Sequence, residues 1–414
     1  MLDALRDGVP VVALVVLLAV AFVHPPEWVE AVLAVVAATA VLATGRLDAA
    51  DVRTEARHLV PVVLFLMAVL VVAECCRAAG LFSAIGTRLA GAGSHQRIFA
   101  LAFAVAALTT VVLSLDATVV LLTPVVLTAA AATGVSAGPL QLLCVRLANS
   151  ASLLLPVSNL TNLLALPRLD IGFARFAVLM APVWVLTLLI EYAAHRWWFR
   201  EDLRTPAMSR REPHPRPLPV APLIVVAAML AGFAVGSLVG VNAAWIAGVA
   251  AVLLTARAMT KRELTLPHAI RSTHASFALF VLGLGLVVAT LGQGPLGDRL
   301  DDLVPNGTGL PALLAIAALG AVLANLANNL PATLLLVPLV APLGVEPVLA
   351  TLVGVNLGPS MTWSGSLANL LWRRTVARTD GTVSNRDFHA VGLLATPAAI
   401  VLGVTLLHLW SSAV

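Results

Sequence analysis

The chain has 414 residues, 60% of them hydrophobic and only 11% charged, with mean hydropathy +0.98 and a formal net charge of +4. Soluble domains carry about a quarter charged residues, so a chain this apolar could not cover its surface in water. Its basic residues sit between apolar runs, which argues against a nucleic-acid surface, and its three cysteines (Cys75, Cys76 and Cys144) lie inside those runs and form no disulfide framework.

Apolar runs suited to crossing a bilayer are read at 8–24, 28–44, 59–80, 99–131, 138–166, 171–198, 219–237, 240–257, 274–295, 309–343, 346–372 and 388–410. The first lacks a basic leader with a small-residue cleavage site and reads as a retained helix, not a signal peptide. The runs 99–131 and 309–343 are too long for one helix and too short for two crossings. Each breaks at a polar knot, so each is expected to be a re-entrant hairpin, which is tolerated at depth only where it lines a cavity. The runs 138–166 and 346–372 are expected to be broken helices. The Pro- and Arg-rich stretch 199–218 reads as a cytoplasmic linker between an N-terminal half, 1–198, and a C-terminal half, 219–414.

A weak internal repeat joins the halves. The segment "LSLDATVVLLTPVV" from Leu113 resembles "LANNLPATLLLVPLV" from Leu326, and Thr118 and Thr333 keep the same offset from Phe65 and Phe280. Asn149 to Asn162 spans 13 residues, as does Asn356 to Asn369. An odd number of crossings per half would invert the second copy. The expected fold is therefore an all-α polytopic membrane protein of two inverted repeats, each with about five transmembrane helices and one re-entrant hairpin. Arginines in 81–98, 196–218, 257–271 and 373–387 place those segments inside, and Asp298, Asp301 and Asp302 place the segment before the second hairpin outside. The segment 45–58, read as an outside loop, fits less well because it carries Arg46, Arg53 and Arg57.

Four polar breaks interrupt the runs: Ser114–Thr118, Pro156–Asn162, Asn325–Thr333 and Thr362–Asn369. Unwound backbone exposes N–H and C=O groups that can bind a solute, so the matched breaks are expected to build one polar chamber. Asp116 is the sharpest residue in them. A carboxylate at that depth must face a cavity or a partner, and its counterpart in the second half is the uncharged Asn328–Asn329 pair. It is expected to carry a proton, the bland alternative being a helix N-cap. Glu74 and Arg77 are expected to pair at i and i+3. Arg146 is left open between snorkelling, attracting an anion and holding Asp116, and Glu191 is expected to be solvated near the interface. Cys75 and Cys76 could chelate a soft metalloid, but small apolar packing is the favoured reading. No metal-ligand spacing and no phosphate-binding Gly-Lys-Ser/Thr loop occurs, so no metal site, cofactor or enzymatic activity is expected.

These residues resemble the ArsB arsenite permeases of the Ion Transporter superfamily over about 65–400. The likeness rests on "LDATVVLLTPVVL" (115–127), "LLLPVSNLTNLLA" (153–165), "LANLANNLPATLL" (323–335) and "NLGPSMTWSGSLANLLW" (356–372). It implies efflux of arsenite or antimonite from the cell across the plasma membrane, in exchange for protons, by elevator-like motion. It also implies docking of an ArsA-type ATPase, and it leaves room for a homodimer. The implied substrate site is Thr118, Ser158, Asn159, Asn162, Asn328, Asn329, Thr333, Ser364, Ser366 and Asn369, with Asp116 for the proton; Asn149, Asn356, Arg146 and Glu74 are accessory candidates from the residue pattern itself. Members of that family tend to carry aspartate where this chain has Asn149 and Asn356. A sodium/proton antiporter or a dicarboxylate-like anion carrier of the same superfamily is the alternative.

Overall fold

A computed structural model describes residues 2–23, 25–204, 216–305, 307–379 and 382–413, and the regular structure of these residues is all helical. Most of the linker, with Arg210 and Arg211, lies outside the described residues. The first half holds α1 (Leu2–Val23), α2 (Glu27–Ala43), α3 (Ala49–Ala78), α4 (Leu81–Ala90) and α5 (His95–Val112). A π-helical turn, Ala117–Leu122, then leads into α6 (Thr123–Thr133), α7 (Ala137–Ser150), α8 (Leu160–Ala165) and α9 (Phe173–Trp198). The second half holds α10 (Val220–Leu238), α11 (Ala243–Thr260), α12 (Leu266–Arg271), α13 (Ala275–Gly292) and α14 (Pro295–Leu303). It continues through α15 (Leu310–Ala327), α16 (Asn329–Val340), α17 (Val345–Leu357), α18 (Leu367–Ala377) and α19 (Asn385–Ser411).

Among the described residues eight helical stretches are long and apolar enough to cross a membrane, and the other apolar runs are built of shorter pieces. Large apolar side chains such as Leu108, Leu189 and Leu326 point outward on these helices. In water they would be a liability, whereas against lipid they are the expected surface. The closest packing pairs α3 with α11, α2 with α13, α9 with α19 and α15 with α17.

Both long runs fold back on themselves. The Thr118 hydroxyl sits 2.8 Å from that of Thr110 and 3.5 Å from the Ala106 carbonyl. Twelve residues of straight helix would have carried it about 18 Å away. The turns are tight: Ser114 has φ 148° and Asn328 has φ 79°, values that side-chain-bearing residues rarely adopt.

The segment 45–58 is not the loop that the sequence reading expected. α3 begins at Ala49, and Asp48 accepts from the amides of Ala50 and Asp51 while the Asp51 side chain accepts from the Asp48 amide. This reciprocal cap is an N-terminus signal present in the sequence. It starts the helix well before the apolar run, so Arg53, Glu55 and Arg57 ride on helix. Short helices also occupy the supposed loops at Leu81–Ala90, Leu266–Arg271 and Pro295–Leu303.

α17 crosses α15 so closely that a Cβ at Gly354 would collide with the Ala317 carbonyl, whereas one at Gly248 on α11 would meet nothing within 4 Å. Gly354→Ala should therefore cost about 1–3 kcal/mol through overpacking. Gly248→Ala should be neutral or stabilising by up to about 1 kcal/mol. Thermal unfolding of the two variants in detergent checks the contrast, and equal midpoints would contradict it.

Candidate functional site

Each of the two breaks contains a proline, Pro156 and Pro359, that cannot rejoin a regular helix. Proline has no N–H and its ring crowds the carbonyl four residues back. α7 gives way to 3₁₀ turns at Ala151–Leu153 and Pro156–Ser158, and α17 to turns at Gly358–Met361 and Trp363–Gly365. Carbonyls freed by such a break need donors at a depth where water is scarce. Asn162 supplies both in the first break, its Nδ2 donating to the carbonyls of Ser152 (2.8 Å) and Leu155 (3.1 Å). Asn369 does the same in the second, donating to Pro359 (2.7 Å) and Thr362 (2.9 Å). The second pair of bonds is the first moved along the chain by 207 residues.

Each brace is then tied to the other half. Asn356 Nδ2 donates to Asn162 Oδ1 at 2.8 Å, and Asn149 Nδ2 donates to Asn369 Oδ1 at 2.9 Å, again related by 207 residues. The Oδ1 of Asn356 accepts from Thr161 Oγ1 (2.6 Å) and Asn159 Nδ2 (3.1 Å), and that of Asn149 from Ser366 Oγ (3.2 Å). Asn149, Asn162, Asn356 and Asn369 are all buried, with donors and acceptors engaged.

The hairpin tips dock on these breaks. Ser158 Oγ donates to the Val111 carbonyl at the end of α5 (2.9 Å), and Ser364 Oγ to the Asn325 carbonyl near the end of α15 (3.3 Å). Thr333 Oγ1 donates to the Asn329 carbonyl (2.7 Å), and Asn328 Oδ1 caps α16 by accepting from the Leu330 amide. Asn325 donates to the Gly358 carbonyl at 2.9 Å, binding the second tip to the second break.

A cavity of about 50 Å³ opens where the first tip, the first break and the start of α16 meet. Its polar lining is Ser114, Asp116, Ser158, Asn159, Thr161 and Asn329, and its apolar wall includes Phe65, Leu66 and Val69 of α3. No basic side chain lines it. Asp116 precedes the π-helical turn and makes no capping hydrogen bond. His274, at the left-handed N-cap of α13, is near enough to act on it electrostatically. Of the residues singled out in the sequence, Asp116, Ser158, Asn159 and Asn329 line this cavity. Thr118, Asn162, Asn328, Thr333, Ser364, Ser366 and Asn369 do not line it. The sequence reading passed over Thr161 and Ser152, which serve the first break, and Asn325, named there only as the edge of a polar segment.

Two expectations about charge are corrected. Glu191 is not solvated: it is 1% exposed and forms a two-bonded pair with Arg146, which is 0% exposed, at 2.8 and 2.7 Å. Arg146 therefore neither snorkels nor holds Asp116, and its charge is already matched. It also donates to the Ser360 carbonyl in the second break (3.1 Å) and to Thr396 of α19 (3.3 Å). The misreading came from treating α9 as interfacial at Glu191, when α19 covers that face. The i, i+3 pair of Glu74 and Arg77 is present, with Nε to Oε2 at 2.7 Å, and His268 joins it. Cys75 and Cys76 are buried, and no group of three His, Cys, Asp or Glu able to hold a metal occurs among the described residues.

Removing one member of a buried ion pair strands the other, at about 3–5 kcal/mol, while removing both is often nearly neutral. Arg146→Met should therefore lower the unfolding midpoint sharply, and Arg146→Met/Glu191→Leu should recover most of the loss. Melting curves of purified protein decide it: a double variant as unstable as the single would show that the pair is not the relevant contact.

The citrate transporter family model matches residues 7–363. The arsenical pump membrane protein of Escherichia coli K12 is 28% identical over 308 residues, covering 68% of this chain and 70% of that one. The corresponding protein of Yersinia enterocolitica is 28% identical over 273 residues, covering 60% and 62%. A putative arsenical pump membrane protein of Bacillus subtilis is 22% identical over 430 residues, covering 94% and 97%. The likeness to arsenite permeases seen in the sequence is thus met by relatives matched over most of their length, and the family match spans both broken-helix segments up to Trp363. The chain belongs to the citrate transporter family and is a multi-pass transporter of the cell membrane.

Proposed function

We propose that this transporter exports arsenite or antimonite in exchange for protons, with the cavity beside Asp116 as the substrate site. The observation that carries the reading is the lining itself: hydroxyls, amides and one carboxylate, with no basic side chain. Arsenous acid is a neutral trihydroxide at neutral pH. It asks for hydrogen-bond partners and no counter-charge. Ser114, Ser158, Asn159, Thr161 and Asn329 supply such partners, and Asp116 is the group that takes up and releases the proton. Asn149, Asn162, Asn356 and Asn369 act as the frame. Thr118 and Thr333 hold the hairpin tips, and Ser364 and Ser366 hold the second break.

The matched braces support the reading of two inverted repeats, 1–198 and 219–414, whose hairpins and broken helices move together. The relatives' names support the cargo, since those of Escherichia coli and Yersinia enterocolitica are called arsenical pump membrane proteins. The family's description supports a second reading, transport of an anion such as citrate. A lining free of basic side chains speaks against it, because an anion buried without a counter-charge is strongly disfavoured.

Growth of arsenite-sensitive cells expressing the chain should improve on arsenite and antimonite and be unchanged on citrate or sodium challenge. Asp116→Asn should keep the fold and reduce pH-driven exchange in vesicles by about 100-fold or more, the scale of losing a positioned proton carrier. Exchange at full rate in that variant would remove Asp116 from the mechanism, and protection confined to sodium would overturn the metalloid reading.

A further inference from the structure

A second and larger cavity, of about 250 Å³, lies apart from the first. Helices α3, α13 and α16 line both, α13 through Phe277 in the first and Gly285 and Val288 in the second. α3 contributes Leu66 to the first and Glu55 to the second, eleven residues or about 16 Å along the axis. α16 contributes Asn329 and Leu330 to the first, and Leu334 and Pro338 to the second. Between them Leu59 packs against α13 so tightly that a Cβ at Gly285 would collide with it. Leu59 thus stands between the two spaces along α3 as an apolar collar.

One ion pair crosses the second cavity. Arg168, in the 3₁₀ turn that follows α8, reaches both oxygens of Glu55 on α3 at 3.0 and 3.3 Å. The two side chains are 25% and 18% exposed, in contrast to the sealed Arg146–Glu191 pair. A pair with access to water can open and close with little penalty, whereas a sealed one cannot. The pair joins α3, a long continuous helix, to the 3₁₀ turn that follows the first broken helix. Asp51, Glu55 and Arg168 are the charged residues of its lining, and Arg46 donates to the Gln293 carbonyl at the rim at 3.2 Å. No surplus positive charge awaits a polyanion, while carboxylate, hydroxyl and amide groups suit a small neutral solute bearing hydroxyls.

We propose that this cavity is a transit site for the transported solute on the far side of the collar, and that Glu55–Arg168 is the latch that closes it. The identity of the solute rests on the metalloid reading above, but the latch does not. The test uses full-length protein with Cys75, Cys76 and Cys144 replaced by alanine and Val288, which lines this cavity and is buried, replaced by cysteine. A membrane-impermeant maleimide is applied to intact cells and to inside-out vesicles. Labelling should occur from one face only. Glu55→Gln should speed it about two- to fivefold, the range an exposed pair supports, and sodium arsenite should slow it. Arg168→Gln should repeat the effect and carries the test if the first variant does not fold. Equal labelling from both faces, or a rate indifferent to both substitutions, would overturn the latch. Faster labelling in Glu55→Gln together with indifference to arsenite and antimonite would leave the latch standing and overturn the transit site, while the cargo is decided separately by the growth assay.

Discussion

A helix can be interrupted inside a bilayer only if the carbonyls it releases find donors within the protein. Here that demand is met by two side-chain amides, Asn162 and Asn369, each holding two freed carbonyls. Only an amide fills the role. It donates twice and still accepts, where a hydroxyl donates once and an ionised carboxylate only accepts. The remaining acceptor of each amide is used to bind the other half, through Asn356 and Asn149. Neither break is therefore satisfied by its own helix alone. This interlock draws the two interruptions together at one depth, and the hairpin tips dock on them through Ser158 and Ser364.

A frame made of neutral amides has an electrostatic consequence. It consumes no charge, so the ionisable groups of the interior can be assigned by their partners. Arg146 and Glu191 neutralise one another in a sealed contact, a brace between α7, α9, the second break and α19. Glu74, Arg77 and His268 form a cluster at the end of α3. Glu55 and Arg168 meet where water reaches them. Asp116 differs from all of these, since it opens on the cavity with neither a cap nor a guanidinium to hold it. A carboxylate so placed is free to change its protonation state without breaking the fold, which a paired one is not.

The class of the protein, the folding back of the two long runs, the broken helices and the place of Asp116 at a polar break could all be read from composition, run lengths and polar knots. What resisted reading was the direction in which each polar side chain points. Asn162 and Asn369 look like ligands in a sequence, because asparagine near proline in an apolar run is what a binding site also looks like. The structure shows that their atoms are already engaged. Glu191 looked interfacial because only its own helix was in view, and its partner Arg146 lies 45 residues earlier. Thr161 lies inside the Pro156–Asn162 break without standing out there, yet its hydroxyl supports Asn356 and it lines the cavity. The start of α3 was within reach: Asp48 and Asp51 have capping spacing, but the charges around them suggested a loop. Long-range pairing is set by topology, and no local pattern encodes it.

Family membership fixes a scaffold and leaves the cargo to be argued from the site. A citrate-like trianion and a neutral trihydroxide make opposite demands. The first needs positive charge to offset the loss of its hydration, and the second needs acceptors and donors in a small space. In this chain the buried guanidinium of Arg146 is already spoken for by Glu191, and the cavity beside Asp116 is lined by hydroxyls and amides. A trianion drawn into that cavity would meet a carboxylate first. A neutral trihydroxide would find in the same carboxylate its strongest acceptor, and the proton that Asp116 gains or loses would alter its grip without adding a net charge to the solute. On the proposed reading, the absence of fixed positive charge is thus what couples cargo to proton: the one group that can change its charge is also the one that holds the substrate.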